Sequence, residues 1–426
     1  MKILKVNCAY TPEKFIKSFG FKGSTLSGVW QTVVCLYSDG CKGIGVGVQS
    51  VLWSDSNVFA NYGEQRSNEM MYSVTEYAAE LVKNIEFENP ADVVKSIFAR
   101  CRSYAETVTG MKVTDTFVLN ALVPLDFAVW QLWARTHGIY DFDKVYKGPA
   151  KQRNLANIPL ITYSTSLAEI AKMAEDGVCI FKIKLGADPD GDGDLDKMLE
   201  WDKRRALEIH NLLKSTSTAY TDCGSAVYYF DANGRYDTKE RLSALVEFMQ
   251  DHEILERTVL FEEPFAPDNK IYLGDLPVNF AADESAHSLE DVKERISLGY
   301  NTITLKPIAK TITVTIDMVD YATKSGAQCF CADLTVNPFM VQWNKNFAAR
   351  MTPLKGMKIG VLESNGSQNY VNWQRMKTYV KGCNAECDET IYNLDDVFYH
   401  NGGGVFEVPD YYENLVSPKR EFGGIM

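Results

Sequence analysis

The residues best placed to do chemistry stand at the ends of short apolar runs. Ile180-Phe181-Lys182-Ile183-Lys184 carries two lysines two positions apart, and Tyr228-Tyr229-Phe230-Asp231-Ala232-Asn233 ends in a carboxylate and a carboxamide. Leu260-Phe261-Glu262-Glu263, Phe280-Ala281-Ala282-Asp283-Glu284 and Ile303-Thr304-Leu305-Lys306 follow the same plan. A charge inside an otherwise apolar strand is expensive unless it is paired or bound to an ion. Three acids on successive units, Asp231, Glu262 and Asp283, would repel one another without a cation among them. Such oxygen ligands, with positions left for water and substrate, suit Mg²⁺. Zinc is disfavoured, because no His or Cys belongs to the set. The plainer alternative makes each acid a helix cap and lets the lysine amines reach water along packed stems. Caps in three consecutive units, flanked by lysines on the units before and after, are harder to explain that way.

The elements that must position these groups alternate in type. Strands are expected at 158–163, 178–185, 228–231, 259–262, 278–283, 302–306, 327–332 and 358–361, with helices at 167–174, 196–213, 239–249, 289–297, 312–325 and 341–349. About 210 residues of such βα repeats fit a (β/α)₈ barrel, although a doubly wound sheet shows the same local alternation. The charged ends are 47, 31, 21 and 23 residues apart, from Lys184 through Asp231, Glu262 and Asp283 to Lys306. Each step is close to one repeat, so all can share one rim. In a barrel that rim is the C-terminal face, where such folds carry their chemistry.

Ahead of the repeats, strands are expected at 2–6, 30–37 and 43–51, with a hairpin turn at Ser38-Asp39-Gly40. Gly43, Gly45 and Gly47 alternate with Ile44 and Val46, and no helix follows at once, so they read as strand and not as a dinucleotide loop. Helices at 74–85, 91–107 and one ending near 136–138 complete an α+β unit over residues 1–135. The repeats occupy 136–400, and a glycine- and aromatic-rich tail over about 400–426 is expected to pack back on the first unit.

Composition narrows the function classes. With 46% apolar and 23% charged residues, the chain of 426 residues reads as an ordinary globular protein. Forty-four Lys and Arg against 56 Asp and Glu, a net charge of −12, argue against nucleic acid as a partner. The start, MKILKVNCAY, lacks a signal-like apolar region. The most apolar stretch, 117–134, contains Asn120, Pro124, Asp126 and Gln131 and reads as a buried helix, so no membrane span is expected. Ten cysteines without secretory context read as reduced thiols in the cytoplasm. Cys329/Cys331 and Cys383/Cys387 lack a second pair at zinc-finger spacing. The acidic run 188–196 partly resembles an EF-hand loop, but Leu199 stands where the bidentate Glu belongs, so it reads as a solvated loop leading into a helix.

In their order and spacing, Lys182-Ile183-Lys184, Asp231-Ala232-Asn233, Glu262-Glu263-Pro264, Ala282-Asp283-Glu284-Ser285 and Leu305-Lys306-Pro307 resemble the enolase superfamily. Within it they resemble the muconate-lactonizing-enzyme-like branch of the mandelate racemase/muconate lactonizing enzyme group. The stretch from Asn120 to Gly138 is similar to the helix joining that family's capping domain to its barrel. The resemblance implies a modified (β/α)₈ barrel with an N-terminal α+β capping domain, and an enzyme that removes the α-proton of a small carboxylate through a metal-stabilised enediolate. Asp231, Glu262 and Asp283 would hold Mg²⁺, with Mn²⁺ as a substitute. Lys184 would be the base and Lys182 would lower its pKa and help hold the carboxylate. Lys306 would stand across the substrate. Two opposed lysines suit racemisation or epimerisation; cycloisomerisation, or dehydration of an acid sugar or hydroxy acid, uses the same half-reaction. A homo-oligomer is expected.

The chain departs from the family's patterns in places. The seventh strand, Cys329-Phe330-Cys331-Ala332-Asp333, carries no His, which excludes a His base there. Glu363-Ser364-Asn365 replaces the Asp-x-Asp with which the family's dipeptide epimerases hold an amino group, so a dipeptide is not the expected substrate. Gln131 follows Trp130 where Asp is usual, and the tail lacks the family's Pro-Gly-Leu-Gly run. Asn233, Asp333 and Glu363 are candidates to touch substrate, the last two equally readable as caps. Loops at 19–28 and 52–66 are expected to form a lid that excludes water. The rival readings are a barrel that binds a ligand without turning it over, and a metal-dependent aldolase.

Overall fold

The structure, a computed structural model, describes residues 1–21, 24–380 and 387–417. Cys383 and the end of the tail therefore lie outside the described residues. The chain begins with an antiparallel sheet of β1 (Lys5–Phe21), β2 (Ser24–Ser38) and β3 (Cys41–Gln49), in that order. Ser38 pairs with Cys41 across Asp39-Gly40, and Gly40 takes the positive φ of 69° that such a two-residue turn requires. β1 is far longer than the strand expected at 2–6. It tolerates Pro12 because it lies at the sheet edge, where a missing N–H breaks no inner ladder.

The residues expected as lid loops are instead regular structure. Residues 19–21 and 24–28 belong to the β1–β2 ribbon, and 52–66 fall in α1 (Val51–Ser54) and α2 (Ser56–Leu81). Asp55 makes this possible: its Oδ1 accepts from Asn57 N and Val58 N, both 3.1 Å, while Oδ2 accepts from Thr114 N at 2.9 Å. Gly63, at φ 71°, interrupts α2. After α3 (Pro90–Thr109) comes α4 (Asp115–Thr136), long and apolar enough to cross a bilayer but with 94% of its most apolar stretch buried inside the protein.

The glycines of β3 explain how α4 lies so close to the sheet. A Cβ at Gly45 would stand 2.0 Å from Pro124 O, and one at Gly43 would stand 2.3 Å from Ala128 O.

The repeats supply β4 (Asn154–Ile158), β5 (Leu160–Ile161), β6 (Ile180–Lys184), β7 (Val227–Asp231), β8 (Thr258–Glu262), β9 (Phe280–Ala282), β10 (Thr302–Leu305), β11 (Gln328–Cys331) and β12 (Gly360–Glu363). β4 and β5 are one strand interrupted at Pro159. β4 pairs in parallel with β12 and β5 pairs in parallel with β6, so the ring closes on eight strands. A further strand, Ile391–Asn393, lies antiparallel on β4. Helices α5 (Leu167–Glu175), α6 (Leu195–Leu213), α7 (Lys239–Asp251), α8 (Leu289–Ser297), α9 (Pro307–Lys310), α10 (Ile312–Lys324) and α11 (Pro338–Ala348) join the strands, except that β8 runs to β9 through a loop.

Two polar joints tie α4 to the barrel and to the tail. Asp126 on α4 accepts from Ile312 N at 2.7 Å and from Thr313 Oγ1 at 2.5 Å, capping α10 from another element. Gln131 accepts from Ile44 N at 2.7 Å and donates to Val405 O at 2.9 Å. The helix Asp410–Val416 packs on the sheet, where Tyr412 donates to Gln31 Oε1 at 2.7 Å and Asn7 donates to Val416 O at 2.9 Å.

Candidate active site

Residue parity builds the site. Side chains two apart in a strand share a face, and Ile180, Tyr229, Leu260, Ala281, Phe330 and Val361 pack together within the ring. Counting in twos toward the C-terminal rim, the same faces reach Lys182 and Lys184, Asp231, Glu262, Asp283 and Glu363, while β10 presents Thr302, Thr304 and then Lys306. The apolar layer thus gives way to a charged layer at one end. Lys182, Lys184, Asp231, Asn233, Asp283, Lys306, Asp333 and Glu363 line a single cavity of about 60 Å³ there. Glu262 is fully buried and is not among the cavity's lining residues.

Lys182 is the centre of the charge network. Its Nζ stands 2.9 Å from Glu262 Oε2, 3.1 Å from Asp231 Oδ2 and 3.1 Å from Glu363 Oε2. Lys184 Nζ stands 2.6 Å from Asp231 Oδ2 and also donates to Asn233 Oδ1. Asn233 in turn donates to Glu284 Oε1 at 2.9 Å. Lys306 pairs with Asp283, and the ring of Trp53 from α1 lies 4.7 Å from its Nζ. The two lysines on β6 and at the end of β10 reach one cavity from opposite sides of an eight-strand ring.

The electrostatics follow from burial and from these pairs. Burial alone would lower Lys182, but Glu262, Glu363 and Asp231 together hold it well above the ordinary lysine value. Lys306 is likewise carried upward against burial by Asp283. Around both of these lysines the carboxylates outweigh the neighbouring cations. Asp231 and Asp283 are buried, yet their lysines keep both well below the usual carboxylate range. Glu262 goes the other way, raised by burial and by Asp231. Burial also pushes Asp333 up to about 6.

Among the described residues, no group of three His, Cys, Asp or Glu side chains converges closely enough to grip a metal as it stands. Lys182 lies among Asp231, Glu262 and Glu363, and Lys306 and Lys310 hold Asp283. The donor chemistry nonetheless fits a hard cation. Asp231, Glu262, Asp283, Glu284, Asp333 and Glu363 are set against Lys182, Lys184, Lys306 and Lys310, all buried or nearly so. Six carboxylates face four ammonium groups, and burial together with the neighbouring Asp231 pushes Glu262 up.

Asp333 and Glu363 part company. Asp333 accepts from Asn365 N at 2.8 Å and Val336 N at 3.3 Å, holding the turns after β11 and β12. Glu363 caps no helix and pairs with Lys182. Several contributors escaped the sequence reading. Lys310, fully buried, donates to Asp283 O at 2.7 Å and Oδ1 at 3.1 Å; its signal is the four-residue step from Lys306 along a helix started by Pro307. Tyr229 donates to Glu262 Oε2, and Thr304 donates to Oε1 at 3.0 Å; both lie two residues before a rim charge on the same face. Glu263 accepts from Asp283 N at 2.7 Å and Ser285 Oγ at 3.1 Å, fixing the turn that presents Asp283. Burial and Glu284 push its carboxyl up to about 8. The acidic run behaves as a solvated loop: Lys197 pairs with Asp190 and Asp192, and Asp194 caps α6.

No family model matches the chain, and no curated protein matches its sequence. Solved structures do. The chain is similar to a mandelate racemase/muconate lactonizing enzyme from Roseiflexus sp., at a TM-score of 0.66 and 18% identity over 94% of this chain and 96% of that one. It is similar to the N-succinyl Arg/Lys racemase from Bacillus cereus, at a TM-score of 0.68 and 13% identity over 98% and 99%. A dipeptide epimerase from Enterococcus faecalis, complexed with Mg and the dipeptide L-Leu-L-Tyr, matches at a TM-score of 0.67 and 14% identity over 95% and 99%. Matched end to end in this way, the chain has the fold of the enolase superfamily in its mandelate racemase/muconate lactonizing enzyme form.

Proposed function

We propose that the protein removes the α-proton of a small carboxylate and returns it on the other face, as a Mg²⁺-dependent racemase or epimerase. The observation that carries this reading is the approach of Lys184 and Lys306 to one cavity from opposite sides, each beside a different carboxylate. Asp231, Glu262 and Asp283 would hold the metal, which would supply fixed positive charge to oxygens that gain negative charge as the proton leaves. Lys184 takes the proton from one face, with Asn233 and Asp231 fixing where its amine points. Lys306, steadied by Asp283 and covered by Trp53, delivers a proton to the opposite face. Lys182 offers its ammonium to the substrate carboxylate. The ribbon and α1 cover the cavity and keep water from quenching the carbanion. Relatives in fold that are racemases and epimerases, one complexed with Mg, support the reaction class.

The test is α-hydrogen exchange in D₂O with Mg²⁺, followed by NMR from each enantiomer of an accepted acid. Lys184→Ala is expected to lower exchange by about 10²- to 10⁴-fold, the usual contribution of a general base. Exchange from the enantiomer served by Lys306 should survive better. Full activity of a folded Lys184→Ala protein would remove Lys184 from the role of base.

A further inference from the structure

The cavity is divided by chemistry. Among the described residues, every charged side chain lining it comes from a barrel strand end or the turn just beyond. The N-terminal unit contributes Phe15, Leu26, Val29 and Trp53, with Ser50 its one polar lining residue among the described residues. Leu160 and Leu334 extend this apolar wall from the barrel side.

The wall is fastened down. Lys14 O accepts from Val371 N at 3.1 Å, and Glu13 Oε2 accepts from Asn372 Nδ2 at 3.0 Å. The Phe15 ring meets Tyr370 edge-on at 5.4 Å. The ribbon therefore holds its apolar side chains in place over the charged floor.

Among the described residues, a substrate carboxylate has cations to meet only on the floor. An α-hydroxyl or amide can stay with the polar floor, whereas a side chain on the α-carbon that turns to the wall meets, among the described residues, no charge to match a second carboxylate or an ammonium. Side-chain hydroxyls buried there would lose water with Ser50 the wall's one polar side chain among the described residues to replace it. We propose that the substrate is a small carboxylic acid whose α-carbon bears a compact, uncharged, apolar side chain, seated against Phe15, Leu26, Val29 and Trp53. This rests on the α-proton-abstraction reading and names its substrate class, setting aside acid sugars and diacids.

The test uses two matched series with the intact protein and Mg²⁺: 2-hydroxy-3-methylbutanoate, malate and threonate, and N-acetylvaline, N-acetylaspartate and N-acetylserine. α-Exchange in D₂O and binding by calorimetry are both measured. In whichever series is accepted, the isopropyl member should lead the charged and hydroxylated members by about 100-fold in kcat/KM or in affinity. Leu26→Arg, or the milder Leu26→Gln if the first does not fold, should shift preference toward the diacid or the hydroxylated member. If a charged or hydroxylated acid exchanges as well as the isopropyl one, the substrate class is wrong while the reaction reading stands. If isopropyl acids bind preferentially and never exchange, the substrate class stands and the reaction reading fails. Neither binding nor exchange across the panel overturns both.

Discussion

Lys182 and Lys184 lie two positions apart on one strand face and still do different work. Lys182 is locked among three carboxylates, whereas Lys184 leans toward Asn233 and the open cavity. The turn that follows Lys184 is held from α6. Asp202 on α6, fully buried, accepts from Gly186 N with both oxygens, at 2.9 and 3.0 Å, and from Tyr236 OH at 2.9 Å. Burial pushes its carboxyl from 3.8 up to about 7, against the pull of those donors. Between these values the folded protein holds a proton that the unfolded chain has released. Stability therefore falls as pH rises from about 4 to about 7 and levels off above, by at most about 4 kcal/mol from this group. Asp202→Asn should flatten that slope in chemical denaturation measured from pH 4 to 8; an unchanged slope would show that Asp202 titrates normally. The rim charges were legible in the sequence because an ion in a doubly buried strand is costly enough to demand a reason. Asp202 was not, since one acid on an amphipathic helix full of charges carries no mark of burial.

At the scale of elements, the alternating repeats could be read because parallel strands buried on both faces give compact apolar runs between helices. The N-terminal elements were harder. β1 is an exposed edge strand whose run Thr11-Pro12-Glu13-Lys14 shows no apolar alternation, and its length comes from pairing with β2. The helical start at Ser56 depends on a capping Asp55 that also reaches Thr114, a contact far away in sequence. The three glycines of β3 were readable as strand, but only the structure gives their purpose, which is contact with α4. That contact makes a prediction. Gly45→Ala would set a methyl 2.0 Å from Pro124 O, where backbone on both sides cannot yield. The expected cost is about 1–3 kcal/mol or more, read as a lower urea midpoint. Gly40→Ala meets no atom within 4 Å and is strained only by its φ, so it should cost less. Equal losses at both sites would deny that close packing explains the glycines of β3.

For the molecule as a whole, the barrel mouth collects more negative charge than its lysines neutralise, and the ribbon and α1 close it from solvent. Such a surplus is unfavourable in the folded state, because the unfolded chain lets these carboxylates separate into water. A cation that binds only the folded protein should then stabilise it, by about 2.7 kcal/mol when Mg²⁺ is at 100 times its Kd. The melting temperature should rise with added Mg²⁺ and fall back with EDTA, and Asp231→Asn should blunt the response. Lys182→Met sharpens the test, since Lys182 is the ammonium now shared by Asp231, Glu262 and Glu363. Removing it leaves those acids facing one another, so the metal-free variant should melt well below the parent, by roughly 3–5 kcal/mol of stability. Added Mg²⁺ should recover more of that loss than it adds to the parent, because the cation and the ammonium answer the same oxygens. A melting temperature indifferent to Mg²⁺ in both proteins would mean that the lysines alone satisfy the mouth, and the metal would have no place in it.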